Sequence, residues 1–187
     1  MEALYTIEAA EKLISRVGIN PQRLVLKWVS AAEAPRYVEI VTSFTETIRS
    51  LGPLGTSEGR DRDEITFKLQ AAKNLSQQEK FRWVLGKRTE FAQEGNAYGE
   101  VFTQHELTRL LDGLISEDLQ VHEILLLLAK KPLSVKEVAQ RLQLEPALVL
   151  KHMAALRRRK LVDLKDIEGR VPSYTLVPQD DRKQNGC

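Results

Sequence analysis

Three patterns follow one another so closely in residues 121–177 that few folds can accommodate them. VHEILLLLAK is apolar on nearly every side, which suits a short helix buried at the centre of a small domain. PLSVKEVAQRLQL comes next, with Ser134 and Glu137 at capping-box spacing and Val135, Val138, Ala139 and Leu142 forming one apolar face. After a tight turn, Glu145 and Pro146 open a helix that runs through LVLKHMAALRRRK; Pro146 takes the first helical position, where its missing N–H costs nothing. LVDLKDIEGRVPSYTLV then offers two strand-like arms, 161–167 and 174–177, around a turn at Gly169. Helix, helix-turn-helix and hairpin, in that order, describe a winged helix.

That order is usually met in DNA-binding proteins, so charge has to be weighed against it. Residues 119–178 carry eleven Lys or Arg against six Asp or Glu, a balance of +5, whereas the whole chain stands at +2. The second helix of the pair would be the reader. Its wheel turns Val149, Met153 and Leu156 to the core and leaves Ala147, Lys151, Ala154 and Arg158 outward. Bases are usually read by Arg, Lys, Asn or Gln near the start of such a helix, and here the start offers Glu145, Pro146 and Ala147. The basic run Arg157, Arg158, Arg159 and Lys160 lies at the far end, where cations also cap the last carbonyls and suit the helix dipole. Three readings stay open for it: a solvated cap, a docking surface for a protein or redox partner, or a weak nucleic-acid surface with Lys151, Arg157, Arg158, Lys165 and Arg170 on phosphates.

Composition narrows the chemistry. With 187 residues, 42% of them apolar, the chain can bury one or two small cores. ILLLLA is too short to span a bilayer, and MEALYTIEAAEKLI has no basic leader ahead of an apolar core, so a cytoplasmic protein without membrane contact is expected. The single cysteine, Cys187, excludes an internal disulfide and a cysteine metal cage. His105, His122 and His152 lack carboxylates at ligand spacing and read as surface or half-buried side chains. No catalytic, cofactor-binding or metal-ligating set stands at functional spacing, so the chain is not expected to be catalytic alone.

Residues 3–17 read as a helix with Leu4, Ile7, Ala10, Leu13, Ile14 and Val17 on one side and Gly18 as its stop. RLVLKWVS alternates, with Leu24, Leu26 and Trp28 on one face, and reads as a strand. Ser30 and Glu33 form a second capping box before a helix that carries Tyr37, Ile40, Val41, Phe44, Ile48 and Leu51. One strand cannot make a sheet, so residues 1–55 read as a helix-strand-helix remnant of an α/β domain. Leu24, Leu26 and Trp28 are then a candidate partner-docking strand, and the remnant is expected to dimerise, swap or dock on another subunit.

Beyond a Gly, Pro and Ser-containing linker at 52–59, a helical middle region extends to residue 118, broken near Asn74 to Ser76. From 61 to 118 it has eight basic and eleven acidic residues, a balance of −3 that does not suit nucleic acid. EGNAYGE is a loop without phosphate-loop order. Thr103 and Glu106 start another helix, and a bend near Asp112 and Gly113 is expected to deliver the chain to the buried ILLLL segment. Residues 119–178 then form the winged helix and 179–187 a disordered tail. The fold class is therefore mainly α, with a small N-terminal α/β remnant and a C-terminal winged helix-turn-helix.

GINPQRL, KWVSAAEAPRYVEIV and IRSLGPLG resemble the C-terminal end of the delta, or iron-sulfur, subunit of methyl-viologen-reducing hydrogenase. The resemblance covers residues 1 to about 55. It implies a small α/β domain that holds a [2Fe-2S] cluster and passes electrons between a hydrogenase or other dehydrogenase and heterodisulfide reductase. GNAYGE and PLSVKEVAQRL resemble the winged-helix extension of longer members associated with such reductases. The family's cluster needs cysteine thiolates upstream of the first helix, and no cysteine precedes Cys187, so no cluster ligand carries over to this sequence. The redox half would be a removed segment, a separate polypeptide, or a part lost to a downstream start. Two functions follow from this sequence: a non-catalytic docking portion of an oxidoreductase complex, with the complex's other subunits as partners, or a winged-helix transcription regulator.

Overall fold

The computed structural model describes residues 2–96, 98–168 and 171–178. Seven α-helices and three short strands lie within them: α1 Glu2–Arg16, α2 Ala34–Leu51, α3 Arg62–Ser76, α4 Glu79–Gln93, α5 Gln104–Lys130, β1 Leu133–Ser134, α6 Val135–Leu142, α7 Pro146–Arg158, β2 Val162–Glu168 and β3 Val171–Leu176. The chain divides into two units, Met1–Leu119 and Gln120–Cys187. The fold class is mainly α, with a C-terminal winged helix-turn-helix.

In the first unit, α1 buries Ala9 and Leu13, with Val17 buried just past its end, and packs against α3 and α4. It ends where expected: Gly18 has φ +83, a conformation that a side chain resists, and a Cβ there would also lie 2.5 Å from Arg60 Nε. α3 contributes Ile65, Ala71, Ala72 and Leu75 to the core, and α4 contributes Phe81. The break between these helices lies at residues 77–78, just beyond the expected 74–76. Arg88 of α4 is also buried, with its guanidinium 4.4 Å from the Tyr5 ring centre, Nη1 2.7 Å from Glu8 Oε2, and Nη2 donating to Thr108 Oγ1 at 3.0 Å. Nε and Nη1 meet no partner at hydrogen-bond angles, so pairing and stacking carry this buried cation.

The expected bend near Asp112 and Gly113 does not occur, because α5 is one helix of 27 residues. A mid-helix glycine costs only about 1 kcal/mol. Leu107, Leu111, Leu114, Ile115 and Leu119 keep a buried stripe running through it, and Ile124, Leu127 and Leu128 are buried further along. The start of α5 matches its sequence signal, since Thr103 N–H donates to Glu106 Oε2 at 2.8 Å and Glu106 N–H to Thr103 Oγ1 at 3.2 Å. Thr103's backbone N–H, then its hydroxyl, holds the Glu106 carboxyl below its ordinary pKa.

The second unit follows the sequence closely. Ser134 and Glu137 make both halves of the capping box at the start of α6, and Pro146 opens α7. The turn between them places Gln143 in the left-handed region at φ 54. β2 and β3 form the expected hairpin, and β1 adds a third antiparallel strand in the order β1-β3-β2, pairing Leu133 with Tyr174 and Ser134 with Ser173. Two residues between a helix end and a cap are too few to show periodicity, which hides β1 from sequence reading. Gly169, Arg170 and residues 179–187, including Cys187, lie outside the described residues.

Candidate functional site

Two surfaces hold the residues singled out from the sequence. The first lies in residues 20–58. A 3-10 turn, Pro21–Arg23, is capped by Asn20, whose side chain accepts from the Gln22 N–H at 2.9 Å. Arg23 then reaches across to the end of α2, where Nη1 donates to Gly52 O at 2.9 Å and Nη2 to Leu51 O at 3.3 Å and Pro53 O at 3.2 Å. Leu51 O and Gly52 O are carbonyls of the kind a helix C-terminus leaves unpaired, and Pro53 O also accepts from Thr56 N–H at 3.0 Å. Arg23 Nε donates to Glu58 Oε1 at 2.8 Å, and the Glu58 carboxylate also accepts from Asn20 N–H at 3.1 Å and Gly55 N–H at 2.9 Å. The Glu58 side chain is buried, yet the Arg23 guanidinium outweighs desolvation and lowers its pKa from 4.5 to about 2. The stretch expected as a linker is thus a set of turns folded around a carboxylate. Neither Arg23 nor Glu58 was singled out from the sequence, since an ion pair 35 residues apart leaves no local signal.

Between these anchored ends the chain is open. Residues 24–30 form no strand, because a strand needs a ladder partner and none lies among the described residues. Leu24 has extended φ −126, ψ 125, but no backbone N–H or C=O of residues 25–29 is hydrogen-bonded among the described residues. Leu24 and Leu26 are half-buried and Trp28 is 62% exposed. The Ser30–Glu33 box is only half made: Ser30 N–H donates to Glu33 Oε2 at 2.8 Å, but Ser30 Oγ accepts from Ala32 N–H instead of capping the helix. α2 therefore starts at Ala34, with Pro35 in its first turn. That Ser30 N–H, ahead of the Arg36 guanidinium, holds the Glu33 carboxyl below its ordinary pKa.

α2 is amphipathic over 18 residues and has no buried residue at all. Tyr37, Val38 and Val41 are exposed, and Ile40, Phe44 and Ile48 only half-buried. A groove of about 460 Å³ runs between α2 and the extended stretch, with Val25, Ile40 and Phe44 along it and Lys27, Arg36 and Glu39 among its polar lining.

The second surface is the outer face of the winged helix. Val149, Met153 and Leu156 are buried, and Ala147, Lys151, Ala154 and Arg158 are exposed, as the helical wheel requires. His152, expected at or near the surface, is buried with Nε2 3.1 Å from Gln120 Oε1. It falls three residues after Val149 and four before Leu156, on the core side. Arg157 lies 3.5 Å from Asp163, so part of the basic run is engaged with the hairpin. Lys165 is exposed at the residue the β2–β3 register skips, between Leu164 and Asp166. Leu150, 51% exposed, escaped the sequence reading although it lies three and four residues from Ala147 and Ala154 on the outward face. With Val135, Pro146, Ala147, Val171 and Pro172 it lines an apolar cleft of about 390 Å³ near the start of α7, where a base-reading helix would carry polar side chains.

The described residues do not fit an iron-sulfur cluster. They include no cysteine, and nowhere do three His, Cys, Asp or Glu side chains gather to hold a metal ion. Among them, no helix is long and apolar enough to cross a membrane.

An N-terminal segment of two helices joined by an open stretch, and a winged helix-turn-helix on the same chain, define its class. Comparison with known proteins divides it the same way: residues 1–52 match the family described as methyl-viologen-reducing hydrogenase, delta subunit, and residues 118–163 match the bacterial regulatory proteins of the arsR family. Similar proteins include the iron-sulfur subunit of the F420-non-reducing hydrogenase of Archaeoglobus profundus, 40% identical over 52 residues, which cover 28% of this chain and 38% of that protein. The vhu iron-sulfur subunit of the F420-non-reducing hydrogenase of Methanopyrus kandleri is 40% identical over 48 residues, 26% of this chain and 36% of its own length. One subunit of the ferredoxin:CoB-CoM heterodisulfide reductase of Methanosarcina mazei is 30% identical over 60 residues, 32% of this chain and 8% of that one. The chain therefore spans less than two-fifths of each of these relatives. No solved structure matches it.

Proposed function

We propose that this chain is a non-catalytic docking portion of an electron-transfer complex of the hydrogenase and heterodisulfide reductase type, in which residues 20–58 present an interface to a redox subunit. The observation that carries this reading is α2, an amphipathic helix with no buried residue inside the segment that matches the hydrogenase delta subunit. An apolar helix face left open in a free chain supports a partner over solvent. The similarity to subunits named for hydrogenase and heterodisulfide reductase supports the kind of partner. Electrons would pass through clusters held by other polypeptides. Purification of the tagged chain from its native cells tests the reading. Stoichiometric recovery of iron-sulfur subunits is expected, with loss on Phe44→Asp; a chain recovered free of every redox subunit would contradict it.

The winged helix supports a second reading, a DNA-binding regulator, through its arsR-family match and its +5 balance over residues 119–178. The apolar cleft and the polar-poor start of α7 weigh against base reading. Under the docking reading, duplex DNA binds weakly, without sequence preference, and is released at moderate salt.

A further inference from the structure

Residues 25–29 combine features that select one kind of occupant. Leu24, which leads into them, is extended, their own N–H and C=O groups are unpaired among the described residues, and a groove with Val25, Ile40 and Phe44 along it runs beside them. A run of unpaired backbone groups is satisfied in register by an added extended chain, whereas a docking helix satisfies its own. We propose that residues 25–29 are a strand-addition edge: a β-strand of a partner protein pairs with this backbone, and its apolar side chains enter the groove against α2. This rests on the docking reading above and names how the docking is made.

Charge argues against a second copy as the occupant. A symmetric antiparallel pairing centred on residues 25–29 sets Lys27 opposite Lys27, and like charges directly opposite one another destabilise a strand pair. Lys27 has no ion-pair partner among the described residues, and Arg36 on the same groove is already bonded to Glu33 at 2.9 Å. The strand that fits therefore alternates apolar residues toward the groove and places a carboxylate across from Lys27.

The probe is the part of the Archaeoglobus profundus iron-sulfur subunit that lies outside its 52 matched residues, mixed with the full chain at micromolar concentration. Amide exchange is followed residue by residue, with sedimentation to give the stoichiometry. The expected result is a one-to-one complex in which exchange of residues 25–29 slows at least tenfold. Lys27→Pro, which removes a ladder N–H from a segment that is irregular in the free chain, should weaken binding at least tenfold, and Lys136→Ala in the other unit should leave it unchanged. A complex in which residues 25–29 exchange as in the free chain overturns strand addition and leaves docking standing. No complex at all overturns both. A homodimer of the chain alone with residues 25–29 already protected makes a second copy the occupant and also overturns the proposal.

Discussion

α2 and α7 are both amphipathic helices with a proline in the first turn, yet their surroundings are opposite. The shorter, α7, buries Val149, His152, Met153 and Leu156 against its own unit, whereas the longer, α2, buries nothing. The difference is not one of pattern, since both have apolar residues at three- and four-residue spacing. It lies in what the chain supplies opposite them: α6 and β2 pack on α7, while the extended stretch beside α2 leaves a groove. An amphipathic sequence thus states that a face is to be covered and is silent on whether the same chain covers it.

The sharpest way to break this comparison is to remove matching apolar side chains. Met153→Ala should destabilise the winged helix by about 2–5 kcal/mol, the usual cost of truncating a buried side chain. Ile40→Ala in the free chain should cost less than about 1 kcal/mol, because a half-exposed side chain has little burial to lose. Urea unfolding followed separately in the two units would measure both, and equal losses would mean that α2 is covered after all.

The Arg23–Glu58 pair should have an effect of similar size in the other unit. Glu58→Gln removes the counter-charge of a part-buried guanidinium and should cost about 1.5–3 kcal/mol, the usual worth of a hydrogen bond to a charged group. The loss should appear in residues 1–119 and spare the winged helix. Acid should act in the same place. Glu58 has its pKa lowered from 4.5 to about 2, so its stabilisation is complete above pH 4.5 and is lost as the pH falls toward 2. Unfolding of the first unit with no steepening of its pH dependence in that window would contradict the assignment.

Smaller effects sharpen the contrast at the helix starts. Ser134→Ala removes a complete capping box and should cost about 1 kcal/mol, whereas Ser30→Ala, where the box is half made, should cost less. Smallest of all, Lys151→Ala and Arg158→Ala should leave stability unchanged and lower only a weak, salt-sensitive affinity for duplex DNA. Tight binding to one sequence at physiological salt, abolished by either change, would favour the regulator.

The winged helix was legible in the sequence because its signals are local: the Ser134–Glu137 box, Pro146 at a helix start and the alternation of the hairpin arms all fall within a few residues. What escaped is long-range or was outweighed. Arg23 meets Glu58 across 35 residues. Gly113 suggested a bend that the buried stripe of α5 overrides. The alternation in RLVLKWVS signalled a strand, yet strand formation depends on a partner that local sequence does not specify. The apolar residues of α2 read from the sequence, Tyr37, Ile40, Val41, Phe44 and Ile48, are exposed or half-buried, whereas α1, on the same N-terminal segment, packs on α3 and α4.

Amide exchange on the isolated chain at low micromolar concentration tests the central claim most directly. Residues 25–29 should exchange near the rate of an unstructured peptide and α2 faster than α7, while α7 and the ILLLL part of α5 are protected to the level of global unfolding of their unit. A monomer in which residues 25–29 and α2 are as protected as α7 would contradict it, since the segment would then need no partner.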